Sequence, residues 1–431
     1  MKSLIRRFSL SAYVLTAMAW PSIAQQTAAP RRVAVKAGRL LDVRTGRYTS
    51  NVLISIEGDR IVSVGGTDPA GVTVIDLSNS TVLPGLIDAH NHVLGNPKDQ
   101  SPTASLRMSS AQAAIWGVRN LQILLDHGFT GLREACEIDQ AYGQLALRDS
   151  VQRGLIRGPR MVSAGNCISV TGGHGDNDPL ASDQALARRP NLADSPDQIA
   201  TAVRYDIKYG ADWIKLMATG GVMDPHSDWR TQELSPEQMA RAVEVAHRAG
   251  KKVMAHAEGS DGIKAAALAG VDSIEHGTAL DEEGAALMER KGTWLVPTLY
   301  TFQHGVEQGT SLGADPIMAE KGKAILSAQQ PAFALALKHH IKIAYGVDDD
   351  PEFVSKEFAA LVRGGMSPLA AIQAATINGA ELLGWTKDAG AIEAGKYADI
   401  IAVNGDPVAD ITVMEKVLFV MKGGEVIKNL Q

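Results

Sequence analysis

Leu86-Ile87-Asp88-Ala89-His90-Asn91-His92 starts as an apolar run and ends in two histidines one residue apart. On an extended strand, residues i and i+2 point to the same side. Two imidazoles placed this way can bind one metal, at about 2.0–2.1 Å per nitrogen. Pro84-Gly85 breaks the chain just before the run, so a new strand begins there. Other stretches follow the same plan, apolar residues and then a group of ligand type. They are Trp213-Ile214-Lys215, Val253-Met254-Ala255-His256, Ser273-Ile274-Glu275-His276 and Ile343-Ala344-Tyr345-Gly346-Val347-Asp348. His90, His92, Lys215, His256, His276 and Asp348 therefore all fall at strand ends. Only an architecture whose strand ends converge can gather groups so far apart in sequence, and a β/α barrel does this at one mouth.

The rest of the middle region fits that reading. Strand-like runs lie around 86–92, 129–135, 160–165, 212–218, 252–257, 272–276, 293–298 and 342–348, with helical stretches between them. Such alternation argues for a parallel sheet. One helix is well marked. Ser235 can cap it, Pro236 suits its first turn and Gln238 completes a capping box. Met239, Ala242, Val243 and Ala246 then form one apolar stripe, and Gly250 ends the helix. The expected fold is a (β/α)8 TIM barrel over residues 84–385. Residues 25–83 and 386–431 carry short strand-like runs with turns, and the two ends are expected to join as a small β-sandwich domain.

With 431 residues, 45% hydrophobic and 21% charged, a large core is within reach and disorder is not expected. The net charge is −6 and no basic block is present, which argues against a nucleic-acid partner. Lys2, Arg6 and Arg7 precede the apolar run Leu10–Trp20, and Ser22-Ile23-Ala24 offers small residues for cleavage. Residues 1–24 are thus expected to be a secretory signal cut near Ala24, since the run is short of the ~20 residues a membrane span needs. The mature chain is expected to be periplasmic or secreted, with no membrane partner. Cys136 and Cys167 are the two cysteines. They could form one bridge or remain two buried thiols.

Singly, His256 or His276 reads more readily as a hydrogen-bonded core histidine than as a ligand. Together with the His90/His92 pair and Asp348 they read as a site. Lys215 between apolar neighbours is costly if charged. Burial lowers its pKa, so the amine becomes nucleophilic and can take up carbon dioxide as a carbamate able to bridge two metals.

These motifs resemble the amidohydrolase superfamily, in its binuclear-zinc branch of prolidase-like and imidazolonepropionase-like enzymes. The stretches that carry the resemblance are Leu83–His92, Thr171-Gly172-Gly173-His174-Gly175, Gly210–Lys215, Ala255-His256-Ala257-Glu258-Gly259, Ser273–Gly277 and Gly395-Lys396-Tyr397-Ala398-Asp399-Ile400. It extends over nearly all of the chain beyond the leader, and is close to secreted bacterial amidohydrolases that hydrolyse ochratoxin A. One departure is Val347, where the family usually has a threonine before the last ligand.

The resemblance implies two zinc ions. His90, His92 and Asp348 would hold one, His256 and His276 the other, with carbamylated Lys215 and a hydroxide between them. It further implies Asp348 as general acid and base. His174, which follows Gly172-Gly173 in the loop after the third strand, is a candidate oxyanion donor, although a loop-stabilising role suits it equally. Arg230 and Tyr300 are candidates to grip a substrate carboxylate. The expected reaction is cleavage of the amide bond to a C-terminal amino acid, including ochratoxin A to ochratoxin alpha and phenylalanine. A homo-oligomer is expected. The alternatives are an Xaa-Pro dipeptidase without a toxin role, a mononuclear-zinc deaminase, which would not need Lys215, and a non-catalytic exported ligand-binding protein.

Overall fold

The structure is a computed structural model. It describes residues 31–430 apart from 68–70, 102, 177, 179, 182 and 185–190. The expected leader and its cleavage point near Ala24 lie outside the described residues.

Two seven-stranded sheets organise the chain. The first takes strands from both ends of the sequence: β1 (Arg32–Asp42), β2 (Arg47–Glu57), β3 (Arg60–Val64) and β4 (Thr73–Pro84). The barrel sheet follows with β5 (Leu86–Asn91), β6 (Phe129–Glu134), β7 (Arg160–Ile168), β8 (Trp213–Met217), β9 (Lys252–Ala257), β10 (Ser273–His276) and β11 (Trp294–Val296). The first sheet is completed by β12 (Ile400–Val403), β13 (Val417–Lys422) and β14 (Glu425–Asn429). Its order is β14-β13-β12-β4-β1-β2-β3, so the expected union of the two chain ends occurs where β12 pairs antiparallel with β4. Val33, Val35, Ile54 and Ile56 from one part of this sheet share an apolar cluster with Ile400, Ala402, Phe419 and Met421 from the other.

Gly85 joins β4 to β5, and a Cβ there would sit 2.2 Å from Thr130 Oγ1. Glycine is what lets the first barrel strand start directly from the accessory sheet.

β5 to β11 are parallel neighbours in sequence order. The eighth run, 342–348, makes only one regular bridge, Leu295↔Ile343. It nevertheless joins the two edges of the sheet. Leu295 N donates to Lys342 O, Ala89 N to Tyr345 O and Asp348 N to His90 O. Side chains divide by strand parity. Ile214, Leu216, Val253, Ala255, Ile274 and Leu295 belong to the large cluster under the helices. Trp213, Met254, Val296 and Ala344 form a second cluster inside the ring. Lys215 and His256 share the inward parity and stand one step above that inner cluster, toward the mouth. The helix Pro236–Arg248 forms as read, with both arms of the Ser235/Gln238 capping box and Met239, Ala242, Val243 and Ala246 buried.

Gly346 is the tightest point of closure. A Cβ there would lie 2.4 Å from Val296 Cγ1 and 2.7 Å from His90 Cβ. Gly346→Ala must push the closing segment away from β5 or β11, at a cost of about 1–3 kcal/mol. Chemical unfolding is expected to show that loss.

Candidate metal centre

Four imidazoles and one carboxylate converge at the C-terminal mouth of the ring. Asp348 Oδ1 is 3.7 Å from His90 Nε2 and 3.4 Å from His92 Nε2, and Oδ2 is 4.0 Å from His276 Nε2. The His256 and His276 rings are 4.8 Å apart, and His90 and His276 5.1 Å. Two ligands at a tetrahedral angle on bonds of about 2.1 Å stand about 3.4 Å apart, so the gaps between Asp348 and the three imidazoles suit donors that share ions.

Each ring has one nitrogen tied back to the protein. Nδ1 of His90 meets Glu275 Oε2 at 2.6 Å, Nδ1 of His92 the Cys136 carbonyl at 2.6 Å, and Nδ1 of His276 the Thr298 hydroxyl at 2.6 Å. His256 is reversed, with Nε2 on the Gly220 carbonyl at 2.9 Å. The other nitrogens are Nε2 on three rings, that of His90 3.4 Å from Lys215 Nζ, and Nδ1 on His256. Ligating histidines are oriented in this way by partners on their other nitrogen. Burial, reinforced by nearby cations, holds His90, His256 and His276 well below the usual imidazole range. The same causes lower His92 to about 4. The rings are thus neutral near pH 7, the form that binds metal.

Lys215 is buried, and its Nζ lies 3.4 Å from His90 Nε2. Burial is the main influence and lowers its pKa, against the raising effect of Glu275 and Asp348. Burial pushes Asp348 up to about 7, with Lys215 pulling the other way. Glu134 Oε1 and Glu258 Oε2 are buried with no hydrogen-bond partner. A set of neutral imidazoles, a weakened amine and unsatisfied carboxylate oxygens has the donor chemistry of a divalent-metal centre. Two donor triads, His90/His276/Asp348 and His256/Glu258/His276, share one histidine, which fits a pair of ions better than one.

The backbone explains how His276 reaches this cluster. Ile274 faces the outer core, so alternation would send His276 outward and only Glu275 in. His276 instead adopts φ +72° and Asp348 φ +55°. Left-handed backbone at non-glycine residues is costly and clusters at functional sites. Here it lets Glu275 and His276, adjacent in sequence, both serve the site.

Sequence reasoning missed the supporting layer. Arg133 is fully buried, and its Nη2 donates to both Glu275 oxygens at 2.9 Å. Its Nη1 donates to Ser273 and its guanidinium lies 4.5 Å from the Trp213 ring centre. The signal was present as charged residues inside otherwise apolar strands, Leu132-Arg133-Glu134 and Ile274-Glu275.

Cys136 and Cys167 form a disulfide with Cα atoms 5.3 Å apart. It ties the mouth ends of β6 and β7. Cys136 supplies the carbonyl that holds His92, and Cys167 stands opposite Lys215 in the strand register.

The remaining predicted residues occupy the rim. His174 is partly buried with Nδ1 2.6 Å from Asp224 Oδ2, and its ring is 4.5 Å from that of His256. Burial alone would raise Asp224, but hydrogen bonds from His174 and Ser227 outweigh it and lower its pKa. The main chain of Arg230 abuts Gly259, just past His256. Its guanidinium is largely exposed and fork-bonded to Asp228 at 3.0 and 2.7 Å. Tyr300 stacks on His304, which is held by Asp349 at 2.8 Å. Neither Arg230 nor Tyr300 is joined to the imidazole cluster by a hydrogen bond.

A donor cluster of this kind at the mouth of a parallel β/α barrel defines a metal-dependent hydrolase. The chain belongs to the amidohydrolase family, whose model matches residues 81–427, and it acts on amide or peptide C–N bonds. It is 32% identical over 377 residues to the ochratoxinase of Aspergillus niger, covering 81% of this chain and 76% of that protein. The crystal structure of the A. niger ochratoxinase superposes with a TM-score of 0.81 at 30% identity, over 93% of this chain and 96% of that one. The crystal structure of an Xaa-Pro dipeptidase with bound methionine gives a TM-score of 0.86 at 33% identity, over 92% and 99%.

Removing Arg133 strands Glu275 as a buried uncompensated charge. Arg133→Met is expected to cost about 3–5 kcal/mol in urea unfolding, and adding Glu275→Gln should recover part of it. Replacing both cysteines by serine is expected to cost about 2–4 kcal/mol. Chelator competition should also show weaker metal retention in that variant, because the carbonyl that orients His92 is freed.

Proposed function

We propose that this hydrolase releases a C-terminal amino acid from N-acyl amino acids or dipeptides, and that ochratoxin A, an aromatic acyl amide of phenylalanine, is among its substrates. The observation that carries this reading is Lys215 set buried among four neutral imidazoles and Asp348. The similarity to an ochratoxinase and to an Xaa-Pro dipeptidase supports the substrate class.

His90, His92 and Asp348 would hold one divalent ion and His256 and His276 a second, zinc being suited to this nitrogen-rich set, with Lys215 as its carbamate between them. When bound, such a pair lowers the pKa of a water and polarises the substrate carbonyl. The chain's own groups do the rest. Asp348 takes the proton lost as water forms the new C–O bond, and delivers it to the amide nitrogen as the C–N bond breaks. Asp224 accepts from Nδ1–H of His174 and balances the charge of its imidazolium form, the form that also carries an Nε2–H to offer the developing oxyanion. A mononuclear deaminase has no use for an amine at Lys215.

We propose further that the protein is exported. The Cys136–Cys167 bridge supports this, since structural disulfides persist in oxidising compartments. Among the described residues no helix is long and apolar enough to cross a membrane.

The test is hydrolysis of ochratoxin A beside N-acyl amino acids and Xaa-Pro dipeptides, with zinc and bicarbonate supplied. Lys215→Ala is expected to abolish turnover and to lower the bound metal below that of the parent protein. Full activity in Lys215→Ala would overturn the carbamate-bridged reading. Failure of the two-metal parent to cleave any of these amides would overturn the substrate class.

A further inference from the structure

The loop Gly220–Asp228 after β8 contributes no proposed ligand, yet two of the site imidazoles lean on it. Its first residue offers the Gly220 carbonyl to His256 Nε2 at 2.9 Å. Further along, Asp224 Oδ2 meets His174 Nδ1 at 2.6 Å. The His174 ring also lies against Gly221, where a Cβ would come 2.3 Å from the ring. Ser227 ties the loop to itself, giving its N–H and hydroxyl to Asp224 and accepting from Gly221 N at 3.0 Å.

What holds this loop comes from far away in sequence. Lys321, on the helix Pro316–Lys338, directs its ammonium into the loop. It donates to the carbonyls of Gly221 at 3.2 Å, Asp224 at 2.6 Å and Ser227 at 2.5 Å. An ammonium has three donors, and all of them are used on one loop. The base of the side chain is equally fixed. Ile325, one turn on, packs with Phe302 and Trp229, and Phe302 stands edge-on to His276 at 5.8 Å. Next to Lys321, Gly322 is pressed against Val306 of the neighbouring helix, with room for no more than hydrogen. The loop carbonyls converge on a cation, and the helix bringing that cation is wedged against the mouth.

We infer that Lys321 is a positioning residue of this centre: by neutralising three converging carbonyls it holds the 220–228 loop in the shape that orients His256 through Gly220 and His174 through Asp224. Without it the carbonyls repel one another and turn to solvent, so both imidazoles lose their fixed orientation although neither is touched directly. The inference rests on the metal-centre reading above, but not on the identity of the substrate.

The experiment compares Lys321→Met, which keeps length and removes charge and donors, with Lys321→Arg, which restores both. Zinc affinity is read by chelator competition, kcat and KM on the best amide substrate of the panel, and thermal midpoint as a control. For Lys321→Met we expect zinc held about 10–100-fold more weakly, as for other partners of metal-ligating histidines. We also expect a fall in kcat larger than the change in KM, and recovery of most of both in Lys321→Arg. Should the methionine variant not fold, Lys321→Gln is read in the same way. Unchanged zinc affinity and kcat in a folded Lys321→Met protein would overturn the inference. So would losses that only follow a lowered thermal midpoint and disappear on cooling. If the parent cleaves no amide, the zinc measurement still decides the matter, so failure of the substrate class and failure of the clamp remain separate results.

Discussion

A carboxylate with no exposure stands between a guanidinium and an imidazole. Glu275 accepts from Arg133 on both oxygens and from His90 Nδ1 on one. Burying two charges is tolerable only when they are closely paired and their remaining hydrogen-bonding capacity is filled. Here Arg133 donates to Ala89 O and Ser273 as well. The pair therefore links β5, β6 and β10 across the ring and sets the tautomer of the first histidine. The rest of the cluster stands around that fixed ring: Lys215 and Asp348 lie close to His90 Nε2, and Asp348 in turn lies close to His92 and His276.

Much of this could be read from sequence, and what could not has physical causes. The strand-end positions of His90, His92, Lys215 and His256 follow from apolar runs of the right length, because alternation decides which way a side chain points. His276 breaks that rule through a left-handed backbone, and only its histidine identity betrayed it. The segment 342–348 was expected as a regular strand. It makes one bridge and a few separate hydrogen bonds, because it must turn at Asp348 to bring the carboxylate inward. Arg133, Glu275, Thr298 and Asp224 went unassigned because their roles depend on contacts between strands and loops that no local pattern encodes. Pairing of Cys136 with Cys167 was equally undecidable, since it needs the register of β6 against β7.

The site is tied into the scaffold at several independent points. The disulfide secures the β6 and β7 ends beside His92 and Lys215. Thr298, in a left-handed turn after β11, secures His276. The Gly220–Asp228 loop secures His256 and His174. Such a layer limits how far these side chains can relax, and would lower the reorganisation needed to bind an ion there.

The accessory sheet has a consequence for how the chain must be made. β4 has β1 on one side and β12 on the other, and some 315 residues of sequence separate Pro84 from Ile400. During synthesis one edge of β4 therefore remains open while the whole barrel is being produced, in the strand that leads straight into His90. Open edges of this kind invite pairing with other chains. A chain released short of β12 would carry His90, His92, Lys215, His256, His276 and Asp348, yet present a bare, adhesive edge on the strand that leads into them.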